Sequence, residues 1–374
     1  MMNYIAEAFP PGEFIKEELA ARYWSQVELA EIIGRDPKVI HDLITGKRPI
    51  VPELAQLLGD ALGTSAMYWM NLESSYRLWR SGAQRDDTTV RRARLYEIAP
   101  IKDMCKRHWI EPSADVAILE NQVKALFGIS NFAEPLCFSH VPRKSSSGIS
   151  NSQIAWMCRA RQIAKSLPAN SFSAQSLDKA LLLLKQILPD VTAIGRIPSI
   201  LADAGIRFLI VEHLPHTRID GVTFWLDDNS PVVALSLRYD RVDAWWYTLA
   251  HELAHGANRD GVDDAAVLDI DISGEQAMIK KNTIEIEADK FASNFLVNEK
   301  ELTNFTKSAG SHYSARKINE FASKVRVYPG IVVGQLQHHH VIPWSSHRSM
   351  LVKIRDMVVS SAVTDGWGKL PKVK

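Results

Sequence analysis

Apolar residues recur at helical spacing along much of the first half of the chain. Several of these stretches are bounded by residues that are typical of helix starts and stops. Ser25 and Glu28 have the spacing of a capping box, and Asp36 with Pro37 has the composition of a helix start. The helices predicted for this half cover residues 25–34, 36–46, 52–62, 65–79, 113–127, 152–166 and 173–188.

The pattern changes after residue 200. Strands are predicted at 204–208, 220–225 and 231–237, and helical spacing returns around 245–255 and over 283–296. The predicted fold class is mainly α, with an α+β part: an all-α amino-terminal domain, a helical linker and a carboxy-terminal α+β domain with a small sheet. The length allows two or three domains. The predicted boundaries are 1–80, 81–189 and 190–340, with an extension at 341–374.

A short link at Gly34 joins the first two predicted helices, which is the signature of a helix-turn-helix. Gly46–Ile50, Leu54–Leu58 and the Pro10–Glu13 segment extend this pattern. Over residues 8–80 the chain resembles the lambda-repressor-like (XRE) domains and, most closely, the HigA type of antitoxin. The resemblance implies that the domain binds operator DNA and a toxin partner, and that it forms a homodimer.

The charge of this domain is unusual for a DNA-binding module. Residues 1–75 contain six Lys and Arg against eleven Asp and Glu, a net charge of −5, whereas DNA affinity comes largely from phosphate contacts. Residues 76–110 contain nine against four, a net +5, and are either a phosphate-binding arm or a solvated helical linker. The alternative to DNA binding is a dimerisation or toxin-docking domain. The candidate DNA-binding residues are Gln26, Lys38, His41, Asp42, Lys47 and Arg48.

Residues 251–255 read His-Glu-Leu-Ala-His within a predicted helix. Two histidines at i and i+4 lie on one helix face, which suits two ligands of one tetrahedral zinc ion, here His251 and His255. Glu252 could face the open coordination position and take a proton from water there, which makes it the predicted catalytic residue. The short pattern also occurs by chance, so the prediction needs a third ligand.

The predicted helix over 283–296 offers that ligand. Glu285 lies beside its apolar face, and Asp289 follows one turn later. We predict that Glu285 binds the metal and that Asp289 holds the second ring nitrogen of a ligand histidine. Glu287 points to roughly the opposite side of the helix and is the weaker candidate. The alternative is that these carboxylates form a solvated helix face.

A second family resemblance rests on these segments. Residues 244–255, the Glu-x-x-x-Asp pair with Ala288 and Phe291-Ala292, and Val-Gly-Gln-Leu-Gln at 333–337 together resemble the ImmA/IrrE metallopeptidases. The resemblance covers about residues 190–340. It implies a compact zincin-like domain with one zinc ion. In the members that act as peptidases, it implies cleavage of regulatory DNA-binding proteins such as repressors.

The remaining features concern the cellular location and further candidate residues. The net charge is +1, no apolar run reaches transmembrane length, and the first residues do not follow a signal-peptide pattern, so we expect a cytoplasmic protein without a membrane partner. The three cysteines lack metal spacing. Five acidic residues between the two predicted zinc helices could cover the site, but a solvated loop is the preferred interpretation; they are Asp260, Asp263, Asp264, Asp269 and Asp271. His338–His340 is interpreted as a surface or packing cluster after a predicted strand. His312 and Tyr313 are downstream candidates for a donor to the oxyanion.

Two functions follow from this reading. The first is a transcriptional regulator whose zinc-dependent peptidase domain cleaves a regulatory protein, a repressor or an antitoxin, through metal-activated water. The alternative is a HigA-like antitoxin that is not an enzyme. It would bind DNA and a toxin, and its peptidase-like domain would be a scaffold or a sensor. A regulator that cleaves a repressor or itself when triggered would combine the two.

Overall fold

A computed structural model shows that the chain forms two compact units, Met1–Val90 and Arg91–Lys374. The first is entirely helical where it is described, and the second combines helices with a small sheet, which confirms the predicted fold class. Within the part of the chain that the structure describes, no helix is long and apolar enough to cross a membrane. The described residues are 8–82, 87–134, 149–262, 267–270, 283–310 and 312–366; side chains are not described for Gly82 and 267–270.

The amino-terminal unit encloses its own core. Five helices each turn an apolar stripe inward, and Ile15, Leu29 and Trp69 are completely buried. The polar faces of these short helices remain in solvent, as expected for a small helical domain. The helices are α1 (Pro11–Arg22), α2 (Gln26–Ile32), α3 (Pro37–Ile44), α4 (Pro52–Leu62) and α5 (Ala66–Gly82).

Helices α2 and α3 form the helix-turn-helix. The capping box is confirmed: the Ser25 hydroxyl accepts a hydrogen bond from the Glu28 backbone N–H at 3.2 Å, and the Glu28 carboxylate accepts one from the Ser25 N–H at 2.6 Å. The Asp36 carboxylate caps α3 by accepting from the Lys38 N–H at 2.7 Å. Between the helices, Gly34 has φ +63°, a left-handed conformation that glycine adopts without steric cost.

The chain then continues as helices that lead to the sheet. Helix α6 crosses the boundary between the two units, and α8 and α9 pack together. A 3-10 turn at Val191–Arg196 precedes α11. These helices are α6 (Thr88–Ile98), α7 (Ile101–Lys106), α8 (Val116–Phe127), α9 (Asn151–Ala164), α10 (Ala174–Ile187) and α11 (Ile197–Asp203).

Within the described residues the sheet has five strands in the order β4-β2-β3-β1-β5. Strand β1 runs parallel to β3 and β5, whereas β2 is antiparallel to both β3 and β4. The three strands predicted from the sequence are present with slightly different ends. The strands are β1 (Arg207–Ile210), β2 (Ile219–Trp225), β3 (Pro231–Leu235), β4 (Val267–Ile270) and β5 (Val363–Thr364).

The sheet is covered on both faces. Side chains alternate along a strand, so Phe208 and Ile210 join the core on one face, and Leu209 joins the core on the other. Helix α12 lies on the first face and α9 on the second. The remaining helices are α12 (Val242–Asn258), α13 (Thr283–Leu296), α14 (Glu299–Ala309), α15 (Ala315–Val325), α16 (Pro329–His338) and α17 (Arg355–Val359).

One predicted element is wrong. The residues before His338–His340 form helix α16 and not a strand. Pro329 occupies the first turn of α16, and all residues from 330 to 337 except Gly334 are buried. A short run buried on all sides does not show the period of its secondary structure, so β-branched composition was misleading here.

Candidate metal centre and DNA-binding face

Helix α12 carries both histidines on its buried side. Trp245, Trp246 and Leu249 anchor the preceding turns in the core. His251 and His255, one turn apart, are 2% and 0% exposed, and their Nε2 atoms lie 3.1 Å apart. The i, i+4 spacing therefore directs two imidazole nitrogens toward the same point.

Helix α13, which packs beside α12, brings a carboxylate to that point. The Glu285 Oε2 atom lies 3.2 Å from His251 Nε2, and its Oε1 atom lies 3.8 Å from His255 Nε2. The three ligand atoms all lie within 4.8 Å of one another. Atoms bound to one tetrahedral zinc ion at about 2.0–2.2 Å are separated by about 3.4 Å. The spacing of this donor set therefore fits a small divalent cation, whereas Glu287 is exposed.

The far ring nitrogens of both histidines face carboxylates. His251 Nδ1 lies 3.2 Å from Asp289 Oδ1, and His255 Nδ1 lies 2.9 Å from Asp260 Oδ2. An ionised carboxylate can only accept, so these contacts favour the tautomer with the proton on Nδ1 and a lone pair on Nε2. Two lone pairs and the Glu285 carboxylate repel one another unless a cation lies between them. This arrangement is typical of histidine ligands to zinc.

The pKa shifts of two site residues favour the protonation states that bind a metal ion. Burial lowers the pKa of His255, and this outweighs the hydrogen bond to Asp260, which acts in the opposite direction. Burial alone would raise the pKa of Glu285, but its interactions with His251 and His255 outweigh burial and lower that pKa. A neutral imidazole and an ionised carboxylate are the forms that bind a metal ion.

Glu252 lies beneath the histidines against strand β2. It is 0% exposed, and the Thr223 hydroxyl lies 2.6 Å from its Oε2 atom and 2.9 Å from its backbone oxygen. The single hydroxyl proton serves one of these acceptors at a time. Gly221 leaves the necessary space, because a Cβ there would lie 2.6 Å from Glu252 Oε1. Strand β2 therefore fixes the position of this carboxylate.

The structure thus brings together all five residues that the sequence singled out for this site, while their chemical roles stay predictions. It also adds residues that sequence reasoning missed. The interpretation of Asp260 as part of a solvated loop is wrong, because its carboxylate contacts His255 and its backbone oxygen accepts from Trp225 Nε1 at 3.0 Å. The loop prediction is also wrong for Asp269, which lies in strand β4 opposite Gly221, whereas Asp263, Asp264 and Asp271 lie outside the described residues.

The two candidates for an oxyanion donor gain no support. The Tyr313 hydroxyl donates to the Thr306 backbone oxygen at 3.4 Å, and Tyr313 packs against the core. His312 contributes its backbone oxygen to a hydrogen bond from Lys317. Donation to an oxyanion by either residue stays a prediction.

Tyr247 precedes His251 by one turn and extends the network behind it. Its hydroxyl donates to Asp289 Oδ1 at 2.8 Å, and its ring lies stacked near the His251 ring, with the centroids 6.3 Å apart. The Tyr247 hydroxyl therefore helps to orient the carboxylate that orients His251. The signal in the sequence was the i, i+4 spacing from the first histidine.

We expect Tyr247→Phe to weaken zinc binding by roughly tenfold, the lower end of the range for changes behind a ligand, because Asp289 loses a fixed donor. The dissociation constant can be measured by competition with a fluorescent zinc chelator. Tyr313→Phe removes a hydroxyl of the same kind and should leave zinc affinity unchanged. Equal effects of the two variants would show that the Tyr247 hydroxyl does not act through the metal ligands.

The candidate DNA-binding residues lie in the amino-terminal unit. Lys38, His41, Lys47 and Arg48 are exposed, on α3 or just after it, whereas Gln26 and Asp42 are half-buried. The Arg48 backbone N–H donates to the Asp42 backbone oxygen at 3.0 Å, which fixes the turn after α3. Four cationic or titratable side chains are therefore available on one helix and its following turn, and their contacts with DNA stay a prediction.

Fewer arginines of the basic segment 76–110 are available for phosphate contacts than its composition indicates. Arg91 forms a two-point ion pair with Glu120 at 3.0 and 2.5 Å. Arg92 donates to backbone oxygens at 113 and 114, and Arg107 is buried beside Asp365. These three arginines are therefore engaged in internal contacts, and the choice between a phosphate-binding arm and a solvated linker stays a prediction for the segment. Arg85 and Asp86 lie outside the described residues.

Comparisons with known proteins agree with this architecture. Residues 203–336 match the peptidase M78 family, described as an IrrE N-terminal-like domain. YddM of Escherichia coli (strain K12), an uncharacterized HTH-type transcriptional regulator, is 32% identical over 82 residues, which are 22% of this chain and 87% of YddM.

Two solved structures are also similar to part of the chain. An antidote protein of a plasmid maintenance system from Nostoc punctiforme PCC 73102 is 33% identical, with a TM-score of 0.20, and the match covers 20% of this chain and 82% of that one. PA4674 from Pseudomonas aeruginosa, solved with its operator DNA, is 30% identical, with a TM-score of 0.21, and the match covers 22% of this chain and 90% of that one.

The fold and the site define a helix-turn-helix protein that is joined to a metallopeptidase-type domain. In its amino-terminal domain the chain belongs to the HTH-type transcriptional regulators. Its carboxy-terminal part contains the IrrE N-terminal-like domain of the peptidase M78 family.

Proposed function

We propose that the carboxy-terminal domain is a zinc-dependent peptidase that cleaves a regulatory protein of the repressor or antitoxin type. The observation that carries this proposal is the convergence of His251, His255 and Glu285, with the far nitrogen of each histidine within 3.2 Å of a carboxylate. Membership of this part of the chain in the peptidase M78 family supports the reaction class.

In this proposal His251, His255 and Glu285 hold the metal ion. When bound, zinc supplies Lewis acidity that lowers the pKa of water and polarises a peptide carbonyl. Glu252 accepts the proton of the attacking water and passes it to the leaving amine. Thr223 orients the Glu252 carboxylate, and the fully buried surroundings exclude competing water from it.

The test of this function is cleavage that depends on metal. Purified protein should cleave one of the proteins encoded beside its own gene, and 1,10-phenanthroline should stop cleavage as zinc is withdrawn. Stoichiometric zinc should restore cleavage, whereas magnesium should not, because it prefers oxygen ligands. Cleavage that persists in the zinc-free protein would contradict the proposal.

We further propose that the amino-terminal domain binds operator DNA through α3 and the turn after it. Its similarity to a transcriptional regulator and the exposure of Lys38, His41 and Lys47 support this. In this proposal Lys47 and Arg48 contact phosphates, together with Gln26 at the start of α2, while Lys38, His41 and Asp42 face the bases.

Lys38→Ala with Lys47→Ala should weaken operator binding and reduce the magnitude of the salt slope of log Kobs by about 0.9, since Lys47 is the phosphate contact of the two and each phosphate contact contributes about 0.9. Fluorescence anisotropy over a range of salt concentrations measures this slope. Lys16→Ala, on α1 and paired with Glu13 at 2.8 Å, is the control and should change the slope little. An unchanged slope in the double variant would show that this face does not contact the DNA.

One observation favours a second function. His251, Glu252 and His255 are all at most 2% exposed, which would also suit a metal site that serves only to hold the fold together. A non-enzymatic antitoxin would need only the fold and would bind DNA and a toxin, with the peptidase-like domain as a scaffold or sensor and with dimerisation through the amino-terminal domain. Rescue of growth from a neighbouring toxin by the Glu252→Gln variant would support this function over the peptidase.

A further inference from the structure

A cavity of about 380 Å³ lies where the start of α12 meets the chain after α16. This volume falls within the range of small-molecule sites. We refer to it as the Trp344 pocket. Its lining residues are Asp240, Arg241, Trp344, Arg348, Leu351 and Lys353.

A completely buried glutamine fixes two walls of the Trp344 pocket. Gln337 Oε1 accepts from Arg241 Nη2 at 3.1 Å, and its Nε2 donates to the backbone oxygens of Trp344 and Ser346 at 3.3 and 3.1 Å. The Arg241 guanidinium also forms a two-point ion pair with Asp243 at 3.1 and 2.6 Å. The guanidinium and the backbone that carries the indole are therefore held before any ligand arrives.

The lining of the pocket is positively charged. Arg348 and Lys353 are exposed, and within the described part of the chain neither forms an ion pair. The single acidic lining residue, Asp240, already accepts two backbone hydrogen bonds, from Ile354 at 2.9 Å and Arg355 at 2.8 Å. Three cations against one carboxylate leave the lining with a net positive charge, which favours an anionic ligand.

Trp344 adds an aromatic surface to these cations. Its side chain is 56% exposed, which is unusual for tryptophan, and the Arg241 guanidinium lies 5.8 Å from its ring. A bare inorganic anion would leave this ring without a contact, whereas a planar heterocycle would stack on it. We propose that the Trp344 pocket binds a mononucleotide, with the phosphate at Arg348 and Lys353 and the base against Trp344.

The pocket is separate from the metal centre. Arg241 immediately precedes α12, and His251 lies ten residues later, about 15 Å along the helix axis. A nucleotide in the Trp344 pocket would therefore lie beside Arg241, the residue that precedes the helix holding two of the proposed metal ligands. Nucleotide binding in this pocket does not depend on the proposed peptidase activity or on the proposed DNA binding.

Isothermal titration calorimetry of the full chain with AMP, adenosine and inorganic phosphate tests the proposal. AMP should bind more tightly than either of its parts. Arg348→Ala with Lys353→Ala should weaken AMP and phosphate by at least about tenfold each, since two charged contacts are lost. Trp344→Ala should weaken AMP by about tenfold through lost stacking and leave phosphate binding unchanged. These side chains are exposed, so the fold should persist, as circular dichroism can verify.

A matched control removes the same charge elsewhere. Arg316→Ala with Lys300→Ala replaces two exposed cations of the same unit and should leave AMP binding unchanged. The proposal fails if AMP produces no heat at millimolar concentration, or if both double variants weaken binding equally. It also fails if a DNA duplex, but not AMP, depends on Arg348 and Lys353, since the pocket would then be a nucleic-acid contact.

Discussion

Substituting His251 with alanine is expected to reduce bound zinc from about one ion per chain to almost none. The variant loses one of three clustered ligand atoms, and it also leaves Asp289 without the ring that it orients. Loss of a direct ligand should cost more than the 10–100-fold in affinity that is typical of changes behind a ligand. Elemental mass spectrometry after dialysis against a weak chelator measures the stoichiometry.

A histidine outside the cluster provides the control. His339→Ala changes an exposed member of the His338–His340 cluster and should retain the wild-type zinc content. If wild-type protein that is folded and supplied with zinc contains no zinc, the proposed assignment of the metal centre is wrong. If His339→Ala loses as much zinc as His251→Ala, the bound metal lies at the exposed cluster and not between α12 and α13.

Local chemistry explains which parts of this structure could be predicted. The caps at Ser25 and Asp36 act within a few residues, so the ends of α2 and α3 follow from the sequence. The residues at 251, 255, 285 and 289 could be paired because each pair lies one turn apart on one helix. To predict that the two pairs form one site, it was enough to expect that the two amphipathic helices pack together.

The parts that sequence reasoning missed depend on contacts between distant segments. Thr223 and Gly221 shape the surroundings of Glu252, but they do so from a strand about thirty residues earlier in the chain. Asp260 was placed in solvent because nothing in its neighbourhood shows that the end of α12 turns it back toward His255. The net basic charge of 76–110 likewise does not show which arginines are engaged in internal contacts.

The alternation of side chains along a strand could identify some of these residues from the sequence. In strand β2, Val222 and Phe224 join the core on one face, so Gly221 and Thr223 must lie on the face that carries α12. A small residue followed two positions later by a hydroxyl, on the face that a His-Glu-x-x-His helix covers, is therefore a testable pattern. Here it identifies the two residues that position the proposed base.

Glu252→Gln is expected to abolish cleavage while leaving both the zinc content and the fold intact. The carboxylate is completely buried, so a neutral amide of the same size removes a charge that is costly to bury, and it can still accept from Thr223. The amide cannot accept the proton of the attacking water. Loss of general base catalysis should lower kcat by about 10²–10⁴-fold. Single-turnover cleavage and zinc content, measured on the same preparation, separate chemistry from metal loss.

The matched control for this change is Glu287→Gln, the same substitution at an exposed position on α13 two residues from a proposed ligand. It should retain both zinc and full activity. Loss of cleavage in Glu252→Gln together with loss of zinc would make Glu252 a structural residue of the metal centre. Unchanged cleavage in a zinc-loaded Glu252→Gln variant would exclude it as the base. Such a result would leave the rigid, Thr223-anchored carboxylate as a packing feature of the fold.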